Sequence, residues 1–338
     1  MTTTQAATAV ELHMIGRPLP HVLDDWPALT ELVHRRPSFG DPPEAFVAYN
    51  QALGPFPTED LRRVGRAIES AHEDNDHALM GARTCVIVDG AALAGKTTAA
   101  LTQAFRETKV AWEVRPFDEP GCDRHIPWVY IEVPRDARGF SVYLAICVFL
   151  GMVIPRPLNA TTLAAALRRI GPLIGLRGII IDDTHGMASR GTTEAARLAD
   201  SLKGVVTGLA PTVVIIGTNL KHSGALLGTP GEQVQYRANW VDLHPWPGPG
   251  EGKDDRRWRQ LVSTMNHHLA FPRPQQRCLL NREEVIGRIR DGSHGRPGLA
   301  IMWIKRAARL AVERGSDLDL GTLNASYREV MTVSRGHL

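Results

Sequence analysis

Cysteine is scarce in this chain and never closely paired. The four that occur, Cys85, Cys122, Cys147 and Cys278, form no C-x-x-C. They offer neither the spacing of a zinc site nor a disulfide framework, which suits a reducing, cytoplasmic setting. Long apolar runs are missing too. The most apolar stretch, Val142 to Ile154, stops at Pro155; it is too short to span a bilayer and reads as a buried helix. The opening residues MTTTQAATAVELH lack a basic start followed by an apolar core, so no secretory signal is expected. Internal repeats are absent. A large excess of one charge sign is missing as well: the net value of +3 is too small to announce a nucleic-acid partner by itself. Lysine is sparse beside arginine, and with so much Ala, Gly and Pro this reads as the coding bias of a GC-rich genome.

What remains is ordinary globular material. With 338 residues, 43% hydrophobic and 22% charged, the chain has ample length for one large domain or two smaller ones. Residues 1–56 are rich in proline and read as an extended arm with a short helix at Pro43 to Leu53. Thr58-Glu-Asp opens a helix running to about Met80. Four apolar runs follow, at Cys85–Val88, Trp128–Val133, Gly178–Asp183 and Thr212–Gly217, with a short fifth near Trp240–Leu243. Helical patterns separate them, which predicts an α/β fold: a parallel five-stranded sheet covered by helices on both faces. Pro245-Trp-Pro-Gly-Pro-Gly250 is a rigid break. The expected division is therefore a 1–56 arm, a 57–246 α/β domain and a 247–338 helical lid ending in a short tail.

The stretch TCVIVDGAALAGKTT, residues 84–98, carries the chemistry. A buried strand runs into Gly90-x-x-x-x-Gly95-Lys96-Thr97 and then into a helix, the context a phosphate-binding loop demands. Glycines let backbone N–H groups turn around a phosphate, and the helix N-terminus adds its positive end. Gly90, Ala94, Gly95, Lys96, Thr97 and Thr98 are the expected nucleotide-binding residues, with Lys96 on the β- and γ-phosphates of ATP and the Thr97 hydroxyl on Mg²⁺. The acids ending IIIDD supply the other half. Asp182 is the metal-side acid, and Asp183 stands where a carboxylate would orient or deprotonate water. Aspartate is shorter than the glutamate usual at that place, so hydrolysis is expected to be slow or to lean on a neighbour such as His185. Asn219 closes the fourth run as a γ-phosphate sensor or a structural cap. Arg237 is either an arginine offered to a neighbour's γ-phosphate or a solvated side chain. Arg296, in Gly-Arg-Pro-Gly, is a phosphate sensor or a helix-capping residue.

Phosphate loop, acidic strand, polar strand end, pre-strand arginine and helical lid, in that order, resemble an AAA+ ATPase. Val133-Pro134, IIIDDTH, IIGTNL, YRANWVDLHPW and GRPGLAIMWIKRAARLAVERG narrow the likeness to the TniB/TnsC type of transposon ATPases, distantly MuB, over roughly residues 58–325. The resemblance implies an ATP-dependent homo-oligomer, ring or filament, wound on duplex DNA without regard to sequence, which recruits a transposase and is reset by hydrolysis. It implies DNA contacts from loops that here hold Arg135, Arg138, Asn159, Thr161 and Thr162; these could equally be ordinary surface loops. Asp183 and the first 56 residues depart from that pattern. Two rival functions stay open: a nucleotide-gated scaffold with little hydrolysis, serving DNA partition or defence, and a small-molecule kinase.

Overall fold

The computed structural model describes residues 36–78, 83–114, 125–133, 140–154, 156–184, 192–209, 211–222, 226, 228–246, 254–273 and 280–335. The chain divides into two compact units. The first holds residues 61–91 and 96–243, and the second holds residues 36–60, 92–95 and those from 244 onward.

The first unit is built on five strands: β1 (Cys85–Gly90), β2 (Trp128–Glu132), β3 (Gly178–Asp182), β4 (Thr212–Gly217) and β5 (Ala238–Leu243). All pair in parallel, in the order β2-β3-β4-β1-β5. Their β-branched runs are buried on both faces, as parallel strands require. β4 lies between β1 and β3. The acidic strand β3 is thus separated from the loop strand β1 by β4.

Alternation sorts the side chains. Val129, Ile131, Ile179, Ile181, Val213 and Ile215 join one apolar cluster with α4 (Ser141–Phe149), α5 (Ala160–Ile170) and α6 (Thr192–Gly208). The intervening residues face α2 (Glu59–His77) and α3 (Lys96–Val114), as the bonds from Trp128 to Glu107 and from Thr97 to Asp182 demonstrate. A last helix, α7 (Gly228–Gln235), leads into β5.

The amino ends of the strands are tied by a buried polar network. Asn75 on α2 accepts from Thr84 N (2.8 Å) and donates through Nδ2 to Thr84 O (2.8 Å) and Thr212 Oγ1 (3.0 Å). Thr212 in turn lies 2.9 Å from His72 Nδ1, and His72 Nε2 lies 3.2 Å from Glu107 Oε2. Burial pushes the Glu107 carboxyl up, but His72, Gln103 and Trp128 outweigh it and hold the group below the usual carboxylate range. Each polar group buried here answers another, which is what makes the burial tolerable.

The second unit has its own core. Around α1 (Pro43–Ala52), α8 (Asp254–His268), α9 (Glu283–Gly292), α10 (Pro297–Glu313) and α11 (Leu320–Arg335), Phe46, Tyr49, Leu53 and Phe56 pack with Trp246, Trp258 and Trp303. Buried Asn50 bonds Ala270 in both directions, at 2.8 and 2.9 Å. The short helix expected at 43–53 is present, and its apolar residues are core, which the composition of a proline-rich arm does not convey. Among the described residues no helix is long and apolar enough to cross a membrane.

Trp128 is fully buried and its ring lies where a Cβ at Gly178 would be. Gly178→Ala should therefore overpack the sheet and cost roughly 1–3 kcal/mol. A denaturant titration should show a lower midpoint with an unchanged slope.

Candidate functional site

The carboxyl ends of β1, β3 and β4 bring the candidate side chains together. β1 runs out through Asp89 and Gly90 into the glycine loop, which ends at the first residue of α3, Lys96. Gly95 has φ 92°, a conformation that costs glycine nothing and other residues about 1–2 kcal/mol. Gly90 is required for a different reason: a Cβ there would overlap the Leu243 carbonyl of β5.

Lys96 Nζ donates to Gly90 O (2.7 Å) and Ala91 O (2.9 Å) and lies 3.4 Å from Thr218 Oγ1. Burial lowers its ammonium below the ordinary lysine range, against the opposing pull of Asp182, Asp89 and Asp183. Thr97 Oγ1 donates to Asp182 Oδ2 at 2.6 Å. A hydroxyl and a buried carboxylate so close form a hard-oxygen pair of the kind that suits a small divalent cation.

Asp183 is exposed and left-handed, with φ 56°, and its N–H turns back to Asp182 Oδ1 at 2.7 Å. Asn219 is also left-handed, with φ 57°, and exposed. Two non-glycine residues strained at adjacent strand ends mark a place that the surrounding structure over-determines.

Several contributors carry no motif. Asp89, 8% exposed, accepts from Gly90 N (2.8 Å) and from Leu220 N (3.0 Å), tying the ends of β1 and β4. Thr184 Oγ1 donates to Ile216 O (2.8 Å), tying β3 to β4. Tyr130 donates toward Glu132 Oε1 (3.0 Å) and Asp182 Oδ2 (3.2 Å). An acid inside the apolar run CVIVDG is the one signal that could have found Asp89, since charges in buried strands are kept only with partners.

No protein-family model matches the sequence, and no curated protein does either. Solved structures do. The ORC2 protein of Aeropyrum pernix, in ADPNP–ADP complexes, is 17% identical with a TM-score of 0.57, over 82% of this chain and 70% of that one. Cdc6p of Pyrobaculum aerophilum is 15% identical with a TM-score of 0.51, over 80% and 66%. A Walker-type ATPase of Pyrococcus abyssi is 12% identical with a TM-score of 0.51, over 82% and 71%.

The fold is that of an AAA+ ATPase.

The remaining candidates lie on or beside other elements. Arg237 sits in the turn between α7 and β5, half-buried, its carbonyl accepting from Cys85 N at 3.2 Å. Its neighbour Tyr236 is 87% exposed. Arg296, in the second unit, is the N-cap residue of α10 without a side-chain cap bond, and its buried Nε has no hydrogen-bond partner among the described residues. In the same unit Gly298 N donates to Leu93 O (3.0 Å) at the loop's tip, and a Cβ at 298 would come within 2.6 Å of that oxygen. α5 is capped by Asn159, which accepts from both the amide and the hydroxyl of Thr162 (2.9 and 3.1 Å). Capping of this helix thus falls to Asn159. Thr162 is engaged, and Thr161 is exposed. Arg135, Arg138 and His185 lie outside the described residues.

Lowering of the Lys96 pKa fixes a sign. Between its folded value and the ordinary 10.5, the unfolded chain holds more protons there than the folded one, so this group's contribution to stability improves as pH rises. Thermal melts of wild type and Lys96→Met should show wild type gaining on the variant as pH climbs toward 10.5.

Proposed function

We propose that this chain is an ATP-dependent, DNA-binding AAA+ ATPase that assembles with copies of itself on duplex DNA and directs transposition by recruiting a transposase. The observation that carries the ATPase part is the 2.6 Å bond from Thr97 to Asp182 beside the buried Lys96 ammonium. In that arrangement Lys96 leaves the two loop carbonyls for the β- and γ-phosphates, and the loop N–H groups receive phosphate oxygens. Thr97 and Asp182 would hold Mg²⁺, which when bound draws charge from the phosphates. That Nε of Arg296 lacks a hydrogen-bond partner among the described residues favours the reading of Arg296 as a phosphate sensor, since a buried guanidinium N–H costs free energy until an anion meets it. Asn219, exposed at the end of β4, would serve as the polar sensor of the γ-phosphate.

Assembly is supported by Arg237, offered to a neighbour's nucleotide, and by exposed Tyr236 beside it; both residue types are enriched where interfaces are strongest. The DNA and transposase parts rest on the resemblance to the TniB/TnsC type and on Arg135, Arg138, Thr161 and Thr162. Multivalent, sequence-independent phosphate contact fits a chain of weak net charge.

A second reading, a nucleotide-gated scaffold that turns over little, is favoured by one feature: Asp183 is short and its backbone is left-handed.

Lys96→Ala should weaken binding of a fluorescent ATP analogue at least tenfold, the equivalent of about 1.4 kcal/mol or more. It should also abolish nucleotide-dependent binding to a labelled duplex, which in wild type should fade as salt is raised. Duplex binding that ignores nucleotide would overturn the DNA-assembly reading.

A further inference from the structure

The position after Asp182 holds an aspartate, yet a glutamate lies across the neighbouring strand. Glu132 ends β2, and the parallel register sets it directly beside Asp182. Tyr130, two residues earlier on the same face, lies between the two carboxylates: its phenol oxygen is 3.0 Å from Glu132 Oε1 and 3.2 Å from Asp182 Oδ2. Its single phenolic hydrogen can be donated to only one of the two carboxylates at a time. Glu132 is exposed, with a stem one methylene longer than that of aspartate, whereas Asp182 is 5% exposed and already bonded to Thr97. Asp183 is the poorer candidate for the attacking water: its left-handed backbone turns its own N–H onto Asp182.

We propose that Glu132, held by Tyr130, is the general base of this ATPase. This rests on the ATPase reading above. In the step it serves, a water oxygen bonds to the γ-phosphorus as the bond from that phosphorus to the β–γ bridging oxygen breaks. ADP departs with the electron pair, and Glu132 takes the proton that the water loses. Inorganic phosphate and ADP are the products, and the proton returns to solvent. Tyr130 is a positioning residue: it fixes the Glu132 carboxylate and keeps it at a set distance from Asp182. A base on the adjacent strand also accounts for an aspartate at 183, a position relieved of proton transfer.

The experiment measures binding and turnover separately on the full chain, with a fluorescent ATP analogue for affinity, phosphate release for turnover, and chromatography of the nucleotide retained after gel filtration. Glu132→Gln should bind nucleotide within about threefold of wild type, lose on the order of 100-fold or more in turnover, and retain ATP rather than ADP. Asp183→Asn should lose less turnover than Glu132→Gln. Tyr130→Phe should keep its affinity and shift the acid limb of the pH–rate profile, a change that mere support of the sheet would not produce. The assignment is overturned if Asp183→Asn is the more damaging variant, or if wild type binds ATP and releases no phosphate. Failure of wild type to bind the analogue at all defeats the ATPase reading itself, and the affinity arm identifies that outcome before turnover is considered.

Discussion

The carboxylate of Asp89 is the tie on which this site depends. It is buried at the end of β1 and accepts one N–H from Gly90 and one from Leu220, so each oxygen fixes a different strand end. An anion taken out of water is tolerable only when its lone pairs are met, and here they are met by the backbone of the two segments that must keep station. Through Gly90 it sets the start of the glycine loop; through Leu220 it sets the turn that carries Thr218 and Asn219. Thr184 repeats the device between β3 and β4. Because the strands are parallel, their carboxyl ends collect on one edge, and these cross-ties turn that edge into a fixed array rather than a row of loose loops.

The same parallel sheet explains how chemistry crosses from β1 to β3 with β4 between them. The bridge is α3, whose first turn places Thr97 against Asp182, two strands away from the loop's own strand. At the opposite edge, His72, Asn75, Thr212 and Glu107 hold the amino ends through side chains of α2 and α3. One helix, α3, thus takes part at both ends of the strands, with Lys96 and Thr97 at one end and Glu107 at the other.

Much of this was legible before any coordinates. Apolar runs separated by helical patterns gave five strands and their direction, because a parallel strand buried on both faces has a distinctive composition. The loop was legible because Gly, Lys and Thr at that spacing have few other uses. Strand order was not legible, since nothing in local composition says which runs become neighbours. Nor was the place of residues 43–56: prolines and glycines mask four aromatic or apolar anchors, Phe46, Tyr49, Leu53 and Phe56, whose partners lie some two hundred residues onward. Tyr130 and Glu132 escaped for a similar reason. Their meaning comes from the register with Asp182, a fact of pairing rather than of sequence.

Gly298 carries a consequence for how relatives of this chain are compared. Its N–H reaches Leu93 O, and any side chain would strike that oxygen. A glycine held invariant beside a phosphate loop is readily credited to the ligand. At 298 the constraint comes instead from one backbone segment crowding another, so its invariance would record the fit of the loop's tip to α10 and would persist in members of the lineage that have lost their nucleotide.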